Sequence, residues 1–197
     1  MRWILPLLLI ALAGCRAEPV APDYQAANAA LMQRDSRRVL TMLRDDRSVE
    51  AERLKATALL QLQDLPGAAR QLDLAVKAGG NAAVYADYAQ LELIRGHLDR
   101  AGQWQQRAER ADGSALMPLQ MGGEIALARG QVELALGYFD RALARHPDNL
   151  AALAGRAHAL ARLQRWVELA PLLDRLDRDM PGDTELALLR QAMPPAR

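Results

Sequence analysis

The chain has 197 residues, 25 lysines and arginines against 24 aspartates and glutamates, a formal charge of +1 and one cysteine. A balance so close to neutral, with no basic patch, excludes the electrostatic footprint of a nucleic-acid binder, and a lone cysteine excludes a disulfide within the chain. Alanine, leucine, arginine and glutamine dominate while aromatic residues make up 4%, so an all-α fold is expected over a length that suits one domain.

The first element is apolar. Trp3 to Ala13 carries no charge and follows Arg2. As a helix it would span roughly 16 Å, short of a hydrocarbon core of ~30 Å. A basic start, a short apolar run and small residues before a boundary form the pattern of a secretory signal peptide. Leu12, Ala13, Gly14 and Cys15 resemble the lipobox of bacterial lipoproteins. The resemblance implies that residues 1–14 are a removed signal peptide and that Cys15 carries a covalent lipid, no other cofactor being expected. An ordinary signal peptide with a chance cysteine is the plainer alternative. A nucleophilic Cys15 is not expected, because "RAEPVAP" after it supplies no base. Two or more acyl chains give stable anchoring where one does not. With Arg16 where an aspartate would favour inner-membrane retention, the resemblance implies the periplasmic face of the outer membrane. Residues 15–23 form the attachment point and linker. Arg16 to Pro22, stiffened by Pro19 and Pro22, reach roughly 25 Å at most.

A fixed period follows. Steps of 34 residues link Gly96 to Gly130, Ala101 to Ala135, Ala108 to Ala142 and Leu176, Tyr85 to Leu119 and Leu153, Ala89 to Gly123 and Ala157, and Pro147 to Pro181. This is the period of the tetratricopeptide repeat, and "GQVELALGYFDRALARHPDN" resembles the second helix and following turn of that family. The period divides residues 24–197 into repeats at about 24–47, 49–81, 82–115, 116–149 and 150–183, with a capping helix at 184–193. The first is truncated, as a terminal repeat is expected to be. Five antiparallel helix pairs and an eleventh helix should stack into a solenoid with a concave and a convex face.

Each column has a packing reason. Ala89, Gly123 and Ala157, with Ala101 and Ala135, sit where paired helices approach too closely for a large side chain. Leu65, Leu98, Val132 and Trp166 form an apolar column at the start of the second helices, so Trp166 is expected in the core. Gly96 and Gly130 end first helices where a left-handed residue is needed. Pro147 and Pro181 follow second helices that they cannot continue.

No motif for an enzyme is present: there is no phosphate loop, no G-x-S-x-G and no metal cluster. His97 and His146 fall in turns and are expected to be solvated, and carboxylates alternate with arginines as on a salt-bridged surface. Function is therefore expected in a surface. In the family that the period resembles, first helices line the groove. Its groove positions correspond here to Arg53, Thr57, Leu60 and Gln61, then Gln90, Leu93 and Ile94, then Met117, Gln120, Glu124 and Leu127, and then His158 and Arg162. About half of the apolar ones are expected to pack against the next repeat. Polar groups mixed with Leu, Ile and Met suit an extended segment or helix of a partner protein. A clamp for a peptide carboxylate is not expected, since Arg53, Thr57, Asp87, Met117 and Met121 depart from its Lys and Asn pattern. No nucleic acid or small-molecule substrate is expected.

A lipobox followed by such repeats resembles small envelope lipoproteins that assist pilus or secretion assembly, of the TadD-like and the PilF- or PilW-like pilotin kinds. The resemblance implies a membrane-anchored scaffold that holds a segment of a secretin or pilus component. Adaptors for cell-wall hydrolases or a protease, and exopolysaccharide export components, remain alternatives.

Overall fold

The computed structural model describes residues 23–194, all of whose regular structure is helical; Cys15 and the leader lie outside the described residues. Eleven helices follow one another: α1 (Tyr24–Met32), α2 (Ser36–Met42), α3 (Val49–Gln61), α4 (Leu65–Lys77), α5 (Ala82–Ile94), α6 (Leu98–Asp112), α7 (Leu116–Ala128), α8 (Val132–Arg145), α9 (Leu150–Arg162), α10 (Trp166–Asp179) and α11 (Thr184–Gln191). The all-α solenoid expected from the period is present.

Local chemistry sets the boundaries. Asp35, Ser48, Asp64, Asn81, Asn149 and Asp183 accept a backbone N–H from the first turn of the helix that each precedes, satisfying a donor that has no partner within the helix. Each first helix ends in the same way. Arg34, Gln63, Gly96, Gly130 and Gln164 all adopt positive φ. The N–H of the next residue then donates to Ala30, Leu59, Glu92, Ala126 or Leu160 at 2.8 to 2.9 Å. This left-handed reversal with a six-to-one bond closes the helix and turns the chain back on itself. Glycine occupies the position in two of the five turns, and elsewhere a side chain bears the strain of left-handed backbone.

Stacking follows from which helices touch. Each first helix contacts the next along the line α1, α3, α5, α7, α9 and α11. Second helices pack on the adjoining first helices, and among themselves they meet through side chains, as where Tyr138 and Arg141 of α8 reach Glu109 of α6 at 3.3 to 3.4 Å. A stack that is tight along one row and open along the other curves toward the tight row. The first helices therefore line the inner, concave face.

The core is divided among the interfaces. One cluster joins α8, α9, α10 and α11 through Leu136, Leu153, Leu160, Leu169, Leu173 and Leu186, and another joins α3, α4 and α5 through Leu60, Leu72, Val84 and Leu91. No single pair encloses a core, so stability passes between neighbours. Trp166 is partly buried against the C-terminal cluster. Phe139, the only phenylalanine, is 1% exposed. It fills the space left by two glycines on facing helices: a Cβ on Gly123 would lie 2.5 Å from its ring, and one on Gly155 would meet the same ring.

The short first pair packs on α3 through Ala27, Leu31, Val39, Leu43 and Leu54, and polar ties add to this. Tyr24 Oη donates to Asp46 at 2.6 Å, and Lys55 Nζ donates to the Asp46 carbonyl at 2.8 Å. Lys55 also pairs with Glu52 at 3.0 Å, two buried charges whose desolvation is offset by each other.

Candidate functional site

The inner face begins with a charged knot. Arg53 on α3 donates to Glu50 at 3.1 and 2.7 Å and reaches Asp87 on α5 at 3.4 Å. Asp87 is 3% exposed. Burial pushes its carboxyl up to about 6 against the opposing pull of Arg53. Burial would lower Arg53, but its bonds to Glu50 and the charge of Asp87 more than offset that and raise it. The shorter contacts identify the stronger partner: Arg53 is primarily held by Glu50, and Asp87 takes the longer bond.

Other groove candidates are also engaged, most of them across repeats. Gln61 donates to the Leu31 carbonyl at 3.1 Å and accepts from Ser36 at 2.6 Å, which secures the turn between α1 and α2. Thr57 donates back to the Arg53 carbonyl at 3.2 Å. Gln120 on α7 donates at 2.7 Å to Asn149, the cap of α9. Arg162 at the end of α9 donates at 2.8 Å to the Leu127 carbonyl at the end of α7, a favourable place for a cation. His158 Nε2 lies 3.2 Å from Glu185 on α11, so the capping helix contributes to the end of this face.

Apolar candidates divide into core and surface. Leu60 is buried within the α3 to α5 cluster. Leu93 packs partly against Ala89, Ala101 and Met121, and Leu127 partly against two clusters. Met117 is half-buried, while Ile94 is 50% exposed.

That leaves Gln90 and Glu124, neither of which forms a side-chain hydrogen bond or ion pair among the described residues. Glu124 is exposed at its surface. Partial desolvation of the carboxyl raises it above the ordinary range. The structure thus brings the candidates onto α3, α5, α7 and α9, with many of their polar atoms used to join repeats.

Two residues missed by column assignment alone are Glu50 and Glu185, which hold Arg53 and His158. Asp87 stands in the sequence as a departure from a carboxylate clamp. Its signal was an acid 34 residues after Arg53, on the adjoining first helix. His97 lies exposed between α5 and α6, as expected of a turn histidine, and its Nδ1 also lies 2.8 Å from the buried carboxylate of Glu92. Burial opposes ionisation of Glu92, yet bonds from His97 and Arg95 hold its carboxyl below the ordinary value.

On the outer side, a cleft of about 240 Å³ lies among α6, α7 and α8, bordered by Gln105, Glu109, Arg129 and Tyr138. Its polar groups largely bond to protein, with Gln105 donating to Glu109 and Arg129 to the Leu98 carbonyl. Among the described residues no group of acidic, histidine or cysteine side chains has an arrangement suited to a metal, and no helix is long and apolar enough to cross a membrane.

Comparisons with known proteins agree with this architecture. The tetratricopeptide repeat profile matches residues 53–115 and 121–184. No curated protein matches the sequence. YrrB, described as a TPR protein with an unusual peptide-binding site, is similar with a TM-score of 0.58 and 15% identity, over 85% of this chain and 89% of that one. Pseudomonas aeruginosa pilF is similar with a TM-score of 0.69 and 17% identity, over 84% and 78% of the respective chains. A chain of the APC/C hetero-tetramer Cut9-Hcn1 reaches a TM-score of 0.69 at 17% identity over 85% of this chain and 34% of that chain. At such identities the likeness is one of fold.

Proposed function

The chain belongs to the tetratricopeptide repeat family, a family of protein-interaction scaffolds, and we propose that it acts as a lipid-anchored scaffold in the assembly of an envelope machine. The inner face receives a segment of a pilus or secretion component, a secretin among them. The lipid on Cys15 keeps the solenoid at the periplasmic face of the outer membrane. The observation that carries this reading is the continuous row of first helices, with Ile94 and Glu124 exposed and Gln90 partly exposed on it, downstream of a lipobox-like leader. Peptide binding by YrrB and the fold shared with pilF are compatible with that use.

A tether of roughly 25 Å limits the partner to parts of a machine close to the membrane. The test is recovery of partners from envelope membranes by the full chain and by Cys15→Ser. The full chain should fractionate with the outer membrane and recover a secretin or pilus component, whereas Cys15→Ser should leave the membrane and recover much less. Recovery of cell-wall hydrolases without any machine component, or retention of Cys15→Ser at the membrane, would contradict the proposal.

A further inference from the structure

The charges of the inner face are unevenly matched. Arg53 is bonded to Glu50 and Asp87, Arg162 to a backbone carbonyl, and His158 to Glu185. Each basic group among the groove candidates therefore has an acceptor within the fold. Glu124, on the central helix α7, faces no such partner among the described residues. An exposed carboxylate on the docking face that has no counter-ion within the fold favours a cation brought from outside.

Its surroundings suit the rest of such a side chain. Ala128 and Ala151 are exposed and Ala154 and Ala161 half-exposed on α7 and α9, while Ile94 is open on α5. Small side chains leave room above the helix surface. Their methyl groups offer apolar contact to the stem of a long cationic side chain, and Ile94 offers it to an apolar neighbour in the incoming segment.

We propose that the segment held on the inner face presents a lysine or arginine to Glu124, flanked by large apolar side chains that cover Ile94 and the alanines of α7 and α9. This rests on the inner face being the docking surface, and it assigns the chemistry of the occupant. Acidic segments are rejected by the same carboxylate. A segment of only apolar residues leaves Glu124 desolvated without a partner.

The test uses the full chain in detergent and pools of short fluorescein-labelled peptides, random except for a central Lys, Arg, Gln or Glu. Fluorescence anisotropy should show the Lys and Arg pools binding about tenfold more tightly than the Glu pool, with the advantage shrinking as salt rises. Glu124→Gln should bring the ratio close to one, and Glu124→Lys should reverse it. Glu133→Gln, an exposed substitution on α8, should leave it intact, and circular dichroism should show equal helicity in all variants. Equal binding of the pools, including none measurable, or a preference that survives Glu124→Gln, overturns the proposal. Ala154→Trp separates the two levels. If it abolishes binding that is indifferent to charge, the docking face stands and the cation site fails. If it leaves binding unchanged, the docking face itself fails.

Discussion

At the N-terminal end of the inner face, Arg53 is shared by Glu50 and Asp87, and Gln61 bonds to both Leu31 and Ser36. Two first helices further along the row, α7 carries Glu124 without a counter-charge among the described residues, and the adjoining α9 carries exposed or half-exposed alanines at 151, 154 and 161. Both regions are built from the inner helices of successive repeats. In the first, polar groups are consumed in joining repeats; in the second, small residues allow close packing and leave a carboxylate over. A groove position is thus a place on a helix, and its availability depends on what the adjoining repeat has already bonded.

The largest way to break this contrast is to remove the close packing. Gly123→Leu forces a side chain into the ring of Phe139, which is pinned from the other side by Gly155. It should cost about 3 kcal/mol or more and loosen α7, α8 and α9 together, read as a fall in the urea midpoint with early loss of hydrogen-exchange protection in those helices. Unchanged stability would show that Phe139 has room to move.

The charged knot provides the next effect. Asp87 binds its proton more tightly in the fold, where it titrates at about 6, than in the unfolded chain, where the ordinary value is 3.8. Its protonation therefore contributes stability that is complete below about pH 4 and lost as pH rises through about 6. Asp87→Asn removes that dependence. Between pH 4 and pH 7 its stability should improve relative to the parent by roughly 2–3 kcal/mol. Parallel pH profiles of the two proteins, measured by urea unfolding, would place the strain elsewhere.

Smaller effects sharpen the comparison. Gln164→Gly relieves left-handed backbone at a turn where two other repeats already use glycine, and should stabilise the C-terminal half by up to about 1 kcal/mol. Glu124→Ala should change stability by less than about 0.5 kcal/mol while weakening partner binding. Arg162→Ala should differ from it, because loss of the bond to the Leu127 carbonyl removes a link between α7 and α9 as well. Equal melting temperatures for the two variants would contradict that distinction.

Much of the fold is legible in a single period. The Gly96 and Gly130 turns, the small residues at 89, 123 and 157, and the prolines after second helices each report a local steric requirement repeated at fixed spacing. The side chains left free were harder to read, because their partners lie about one repeat away and depend on reach and angle. Gln61 meets Leu31, Arg162 meets Leu127 and His158 meets Glu185 by contacts that no local pattern announces. His97 shows the same limit: it is exposed in its turn as expected, but its contact with the buried Glu92 is not legible in the sequence.

The central claim is that the row of first helices is the surface used for docking. A photo-crosslinking residue placed at Ala154 on the inner face, and separately at exposed Leu134 on the outer one, tests it in cells that make the full chain. The account predicts a discrete protein adduct from position 154 that is weakened by Glu124→Lys, and none from position 134. An adduct formed only from position 134, or one from position 154 that is indifferent to Glu124→Lys, would contradict it.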